Sequence, residues 1–340
     1  MRRKQPVMSR LSLAVLLPLI LSGETRQVVP SRFYRTFAGV HPVLARVRPG
    51  DRVVTKTLDA GGQDEKGARL AEPGNPLTGP FYVEGAEPGD ALEVRFERVR
   101  MNRNWGWSSY RLLLSALTPE SVEGIYSDQY KQDLIRKGRA NLVPWDIDLA
   151  RKTVRLREPA SQRLKLEFPA SLMLGCVGVA APGEFAPTSG PSGSYGGNLD
   201  YNLIGEGATV ILPVYHPGGL LFIGDGHALQ ADGEPLGTGV ETSMDVEFSV
   251  QVRKKANLTG PRVETAEQLI SIGSQPEFAS SLDRALQMAT TDMVRWLVRD
   301  YQLEPWAAHL LAGLHGQYQV VTVWGSMALK VPKKYLPPKP

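Results

Sequence analysis

The sequence predicts a mainly β or α+β fold, with antiparallel, sandwich-like sheets and a helical layer near the C-terminus. Segments of alternating apolar and polar residues recur along the first two thirds, and 34 glycines and 26 prolines are scattered as turn formers. Helical periodicity is confined to the last third. A chain of 340 residues, 42% apolar and 22% charged, can bury one large core or two ordinary ones, and its composition is that of a globular protein.

Residues 1–23 differ from the rest. The basic stretch "MRRKQPVMSR" precedes "LSLAVLLPLILSG", whose apolar run of about eleven residues predicts a secretory signal peptide cut near Gly23. A membrane span needs ~20 apolar residues, so no stable span is expected after cleavage. Export to the periplasm or the exterior is therefore predicted, with a cytoplasmic location as the alternative. Arg2, Arg3, Lys4 and Arg10 lie in this leader, and without them the 39 basic residues fall to 35 against 35 acidic ones. That balance gives no electrostatic reason to expect nucleic acid. The lone Cys176 cannot form an internal disulfide, and its apolar setting "LMLGCVGVAAP" marks it as core.

Two Pro-Gly-Asp turns, in "RVRPGDRVVTKTLDAG" and "GAEPGDALEVRFERVR", each enter an alternating strand, with Val53, Thr55 and Thr57 on one face and Leu92, Val94 and Phe96 on the other strand's equivalent face. Further strands are predicted over 153–157, 164–168, 173–180, 209–215, 220–224 and 243–253. Leu282, Ala285, Leu286, Ala289, Met293, Trp296 and Leu297 recur at helical spacing after Ser280 and Ser281. A shorter helix starts at Pro305 and ends near Gly313 or Gly316, and "QYQVVTVWGSMALKVPK" returns to strand. The expected plan is a single domain over 24–335, with a β-rich body over 40–255, a helical segment over 264–315 and final strands over 317–331, followed by a mobile tail at 336–340.

The chemistry-bearing stretch is "LFIGDGHALQADGE". On an extended strand residues two apart face the same way, so Asp225 and His227 project together and could chelate a divalent metal. Asp59, Glu84 and Glu241, each near a strand end beside glycine or a small residue, are candidates for the third ligand or for a general base. Asp232 and Glu234 read as a turn. His216, before "PGG" at a strand end, is a candidate to approach the site. His41, His309 and His315 read as packed, surface or helix-end histidines. Trp105, Trp107 and Tyr110 in "NRNWGWSSY" read as core or interface aromatics, with a pocket wall as the alternative. "GPSGSYGG" fails as a nucleophile elbow, and no Walker or dinucleotide fingerprint is present, so no nucleotide cofactor is expected.

Together "LDAGGQ", "GNPLTGPFYVEGAEPGD", "GGNLD", "ILPVYHPGG", "GDGHALQADGE" and "GTGVETSMDVEF" resemble, in that order, the acetamidase/formamidase family. The resemblance covers roughly residues 40 to 335, with Ala231 where the family commonly has glycine. It implies a β-rich fold, hydrolysis of short linear amides to a carboxylate and ammonia, a carboxylate-rich centre holding a divalent metal (zinc before calcium), and a homo-oligomer. The matching positions are Asp59, Glu84, Asn198, Asp200, Asp225, His227, Gln230, Glu234 and Glu241. The implied roles are Asp59, Asp225 and His227 as metal ligands, Glu84 or Glu241 as general base, and Asn198 as a donor to the carbonyl oxygen. Gly196, Gly197, Asp200, Gln230 and His216 would contact substrate. The rival expectations are a secreted metal- or sugar-binding module without turnover, and a metal-dependent hydrolase of another amide, a lactam or an ester.

Overall fold

Alternation along the strands sets the layers. A computed structural model describes residues 23–118, 142–158, 162–274 and 281–340, so all of the predicted leader over 1–23 except Gly23, and the Ser280 helix start, lie outside the described residues. In chain order the strands are β1 (Thr25–Gln27), β2 (Ala45–Val47), β3 (Arg52–Thr57), β4 (Leu77–Val83), β5 (Ala91–Met101), β6 (Trp105–Ser109) and β7 (Leu142–Asp148). Next come β8 (Thr153–Leu156), β9 (Glu167–Pro169), β10 (Met173–Val179), β11 (Ser192–Gly193), β12 (Gly196–Asn198), β13 (Thr209–Pro213) and β14 (Leu221–His227). The last are β15 (Met244–Arg253), β16 (Arg262–Glu264), β17 (Gln268–Ser274), β18 (Gln317–Thr322) and β19 (Ser326–Pro332).

They form a nine-stranded sheet in the order β1-β3-β15-β5-β13-β16-β17-β19-β18, a six-stranded sheet β11-β12-β10-β14-β4-β2, and a four-stranded sheet β6-β7-β8-β9. The two larger sheets enclose one core, in which Phe81 of β4 meets Phe248 of β15 edge-on at 5.2 Å between ring centroids. On β13, Val210 and Leu212 enter this core while Ile211 faces the other way. There it meets the helical layer, α1 (Leu282–Tyr301) and α2 (Pro305–His315), through a cluster that includes Leu269, Met293, Trp296 and Leu329. Sheet, sheet and helices thus form three layers, as the alternating pattern followed by helical spacing leads one to expect.

The helix ends follow capping chemistry. The Ser281 hydroxyl accepts the Arg284 amide at the start of α1, Gln302 closes it in the left-handed conformation, and Pro305 stands in the first turn of α2. Bidentate contacts of 2.7 and 2.9 Å from buried Arg262 of β16 to Asp292 pin α1 to the sheet.

Four local expectations are corrected. Strand β14 runs past Gly224 to His227, since β10 continues to pair with it as far as Met173. The segment after 264 opens with strand β17, whose "LISIGS" alternation pairs along β19, before α1 begins. The strand expected over 164–168 shrinks to β9, an exposed edge. The tail is docked: Lys339 Nζ lies 3.8 Å from Glu264 and over the Tyr301 ring, while Tyr335 stacks on His315.

The twin Pro-Gly-Asp turns have one shared device. Asp51 Oδ2 accepts the Arg48 amide and Asp90 Oδ2 accepts the Glu87 amide, each closing its own turn; Asp51 also takes the Glu24 amide and the Arg26 guanidinium, and Asp90 the Lys255 amide and the Lys254 ammonium. Burial opposes ionisation of both, but these donors outweigh it and hold each carboxyl below its ordinary value. A lowered folded pKa gives stability that is present above the unfolded aspartate value of about 4 and is lost as pH falls through the folded value. Asp51→Asn and Asp90→Asn are each expected to cost about 1–2 kcal/mol at pH 7. Urea unfolding should show that cost shrinking toward zero near pH 2, and a cost independent of pH would contradict the assignment.

Candidate active site

The C-terminal half of β14 and the segment after it carry the acid-rich centre. Pairing of Gly224 with Cys176 and of Gly226 with Leu174 sets Asp225 opposite Gly175 on β10. The backbone at Asp225 is left-handed (φ 57°) rather than extended, yet its Oδ1 lies 3.5 Å from His227 Nε2. A Cβ at Gly175 would stand 2.7 Å from Asp225 Oδ2 and collide with Asp200 Oδ1, so only glycine lets both carboxylates settle there. Glu241 arrives from a short seam joining two sheets: its amide donates to Trp107 O of β6 at 2.7 Å, and the Thr242 amide donates to Gly226 O of β14 at 2.9 Å. The seam brings Glu241 Oε1 to 3.0 Å from His227 Nε2.

Asp225, His227 and Glu241 thus offer ligand atoms within 4.8 Å of one another, and Asp200, His227 and Glu234 form a second such set. His227 is fixed from behind. Gln230 Nε2 donates to Asp200 O at 2.6 Å, which turns Gln230 Oε1 toward His227 Nδ1 at 2.7 Å. Nδ1 therefore carries the proton, and Nε2 faces the carboxylates. Asn75 Nδ2 donates to Asp225 Oδ2 at 3.0 Å, the Gly239 amide donates to Glu241 Oε1 at 3.0 Å, and Asn198 Nδ2 donates to Asp200 Oδ2.

After those bonds Asp200 Oδ1, Asp225 Oδ1, His227 Nε2 and Glu241 Oε2 remain buried without a hydrogen-bond partner, four of the nine such side-chain atoms among the described residues. Burial, reinforced by Asp225 and opposed by His227, pushes Glu241 up to about 8. Burial, opposed by His227 and reinforced by Glu241 and Asp225, likewise pushes Glu234 up to about 8. Asp200 is raised well above the carboxylate range by burial and by the neighbouring Glu234 and Asp225. Burial alone would lower His227, but the charges of Glu241 and Asp225 reverse that and raise it.

Asp200, Asp225, Glu234, Glu241, Asn75 and Asn198 line one cavity of about 430 Å³, with Trp107 on its wall. The aromatic from "NRNWGWSSY" thus takes the alternative role considered for it.

Other predicted site residues lie elsewhere or act differently. Asp59 is fully engaged by Arg103 Nη2 at 2.6 Å, Trp107 Nε1 at 2.9 Å and the Gln63 amide at 2.8 Å, so it is a strut beneath Trp107 and does not join the His227 clusters. Glu84 is half exposed and lies 3.6 Å from Arg48, just past the end of β4 that pairs with Leu221. His227 ends the same strand β14 six residues on, or ~20 Å at ~3.3 Å per residue. His216 occupies that far end too, with Nε2 2.7 Å from Ala181 O. Gly196 and Gly197 pair with β10 and β11, where added side chains would strike Val177 O and the Tyr195 ring; among the described residues they are not on the cavity wall. Gln230 braces His227 rather than facing the cavity.

One participant, Asn75, escaped the sequence reading, and Glu234, a matching position read mainly as a turn, was given no role there; it does make the turn, at φ 45°, but the turn aims its carboxylate inward. Asn75 had only the Gly-Asn-Pro setting, a dipeptide context for a left-handed residue (φ 51°), as its signal.

The Acetamidase/Formamidase family pattern matches residues 168–283, which include β14, His227 and Glu241. Over nearly the whole chain the fold matches the crystal structure of an acetamidase from Yersinia enterocolitica, with a TM-score of 0.74 and 29% identity over 93% of this chain and 94% of that one. This chain resembles the acetamidase/formamidase family in sequence and in fold. An acetamidase from Bacillus halodurans matches with a TM-score of 0.72 and 27% identity over 91% and 98% of the two chains. A formamidase from Methylophilus methylotrophus is 27% identical over 57% of each chain. The chain spans about half the length of the curated relatives it matches, 46% and 57%.

The strut and the far-end glutamate separate cleanly by stability. Arg103→Ala leaves Asp59 buried without its cation and should cost about 3–5 kcal/mol, whereas Glu84→Gln should stay within about 0.5 kcal/mol. Urea denaturation of both variants checks this; equal effects would contradict the placement.

Proposed function

We propose that this chain is an amidohydrolase that cleaves the C–N bond of short linear amides, releasing a carboxylate and ammonia. The reading is supported by the convergence of His227 Nε2 with Asp225 and Glu241 at 3.5 and 3.0 Å, behind a cavity that the two carboxylates line, in a chain that resembles acetamidases and formamidases.

The donor set suits a divalent cation. Nε2 is turned to the carboxylates by Gln230, unpartnered oxygens surround it, and the separations of 3.0 and 3.5 Å bracket the ~3.3 Å edge of a tetrahedron with bonds of ~2.0 Å. Asp225, His227 and Glu241 would hold the ion; one imidazole with few oxygens favours zinc over calcium, which takes six to eight oxygens. A bound cation would lower the pKa of its water and polarise the amide carbonyl. Asp200 and Glu234 form the second carboxylate pair beside His227, and their task is to accept a proton from the attacking water and return one to the departing nitrogen. Asn75 and Asn198 hold the carboxylates in place; Asn75 gives its second amide hydrogen to Ser189 O, while Asn198 keeps one near the cavity. The net reaction is amide plus water giving carboxylate plus ammonium. The basic and then apolar sequence of residues 1–23 supports reading them as a leader removed on export.

The test is ammonia release from formamide, acetamide and propionamide by purified protein, before and after chelation and with metal restored. We expect turnover that falls on chelation. His227→Ala and Glu234→Gln should each lower kcat by roughly 10²–10⁴-fold. Activity that survives complete metal removal would sink the cation while leaving amide hydrolysis standing; stoichiometric metal with no ammonia from any amide would favour a binding module instead. For export, intact mass of protein recovered from the periplasm or medium should lack the leader, and an uncleaved cytoplasmic chain would refute it.

A further inference from the structure

The cavity is large for the amides just named. Acetamide has four heavy atoms, so at ~30 Å³ per water-sized unit it takes up roughly a quarter of the space. The remainder is bounded by a wall of distinct chemistry. Ser192 of β11, Ser274 of β17 and Ser326 of β19 come from three strands and two sheets, and Ser274 and Ser326 are register partners. Their hydroxyls lie 2.6 Å (192 to 274), 2.9 Å (274 to 326) and 3.4 Å (192 to 326) apart. All three residues are buried and all three border the cavity.

Three hydroxyls linked by two short contacts and one long one can leave a single O–H free to donate outward, or close the ring and present lone pairs. Such a cluster fits a ligand group that is uncharged and either donates or accepts. Ser192 pairs with Gly197, next to Asn198, whose amide holds Asp200, so the cluster stands one strand spacing of ~4.8 Å from Asn198 and three from Asp225 along β11-β12-β10-β14. The charged side chains on the wall, among the described residues, are Asp200, Asp225, Glu234 and Glu241, with no lysine, arginine or histidine. An anionic acyl chain is therefore repelled, and a purely apolar one leaves the hydroxyls facing a methyl group.

We propose that the preferred substrates are amides longer than acetamide, whose uncharged acyl chain ends in a hydrogen-bonding group such as a hydroxyl, and that Ser192, Ser274 and Ser326 select that group. This rests on the amidohydrolase reading and specifies its substrate class. The serines act in binding the distal group and take no part in bond cleavage.

The experiment compares kcat/KM for 3-hydroxypropionamide against its isostere butyramide, for 4-hydroxybutyramide against pentanamide, and for malonamide against malonamate, with acetamide as reference. At least one hydroxyamide should exceed its methyl isostere by about tenfold, mainly through KM, and malonamide should exceed malonamate by at least as much. Ser192→Ala and Ser326→Ala should bring the hydroxyl-to-methyl ratio to within about twofold of unity. A folding defect scales both members of a pair and leaves that ratio unchanged, so the ratio isolates recognition. Ratios near one in the wild type, or ratios untouched by both serine variants, overturn the inference while turnover of acetamide keeps the amidohydrolase reading intact. No ammonia from any of the amides overturns both.

Discussion

Four carboxylates gathered around one buried imidazole are the constraint to which the rest of the site answers. Each ion taken out of water costs several kcal/mol unless it is paired or neutralised, and like charges this close cannot all ionise. The chain supplies partial compensation from fixed donors, Asn75 to Asp225, Asn198 to Asp200 and the Gly239 amide to Glu241, and then stops. What remains unpartnered is the inward edge of the cluster. Protons or a cation must complete it, which is why burial lifts Glu234 and Glu241 to about 8 when no cation contributes. The backbone bears the mark of the same constraint: Asn75, Asp200, Asp225 and Glu234 all adopt positive φ, at 51°, 45°, 57° and 45°. Non-glycine residues enter that region at a cost, so a rigid two-sheet core has to over-determine them.

The Asp59–Arg103 pair solves a similar problem in the opposite way. Its carboxylate is satisfied on both oxygens by a guanidinium, an indole and an amide, and nothing is left to bind a ligand. What it does is hold Trp107 against the cavity and tie the loop after β3 to β6. Arg262 and Asp292 play the corresponding part behind the nine-stranded sheet, where the guanidinium also lies over Trp296. A buried acid near a strand end is therefore not diagnostic of chemistry; unpartnered carboxylate oxygens are what separate the His227 cluster from the struts, whose carboxylates are bonded on both oxygens.

That distinction explains how far the sequence could be read. Alternation exposed the β body because Val53, Thr55 and Thr57, or Leu92, Val94 and Phe96, must all turn to one core, and helical spacing exposed α1 for the same reason. Asp225 and His227 were legible as a local pair. Glu84 and Asp59 looked like equals of Glu241 because all three sit near strand ends, and a linear chain does not say at which end of the sheet a residue emerges. Pairing does: Leu221 faces Phe81 and Gly224 faces Leu77, so Glu84 and His227 leave by opposite edges. Asn75 and Glu234 were hidden by their turns, since Gly-Asn-Pro and Ala-Asp-Gly-Glu are good turn chemistry whether or not the side chain meets anything. Strands such as β4, with Gly79 and Pro80 in its middle, contradict local propensity and exist through tertiary pairing.

The seam at Glu241 couples the site to the assembly of the whole body. Residues 239–242 bridge β6 of the small sheet and β14 of the six-stranded one, and the ring of His227 packs where a side chain at Gly239 would stand, 2.6 Å from its Cγ. Glu241 thus reaches His227 through contacts with both sheets. Asn75 comes from the chain before β4, Asp200 from the turn after β12, and the serine wall from β11, β17 and β19. No contiguous piece of the chain contains even the minimal cluster together with its wall. The carboxylates and His227 lie within residues 200–241, but Asn75 and the serine wall come from distant parts of the chain, so packing between remote segments is what completes the site. The hydrophobic core thus supplies the force that holds the acids against their own repulsion, and the cavity is shaped by the two sheets that generate it.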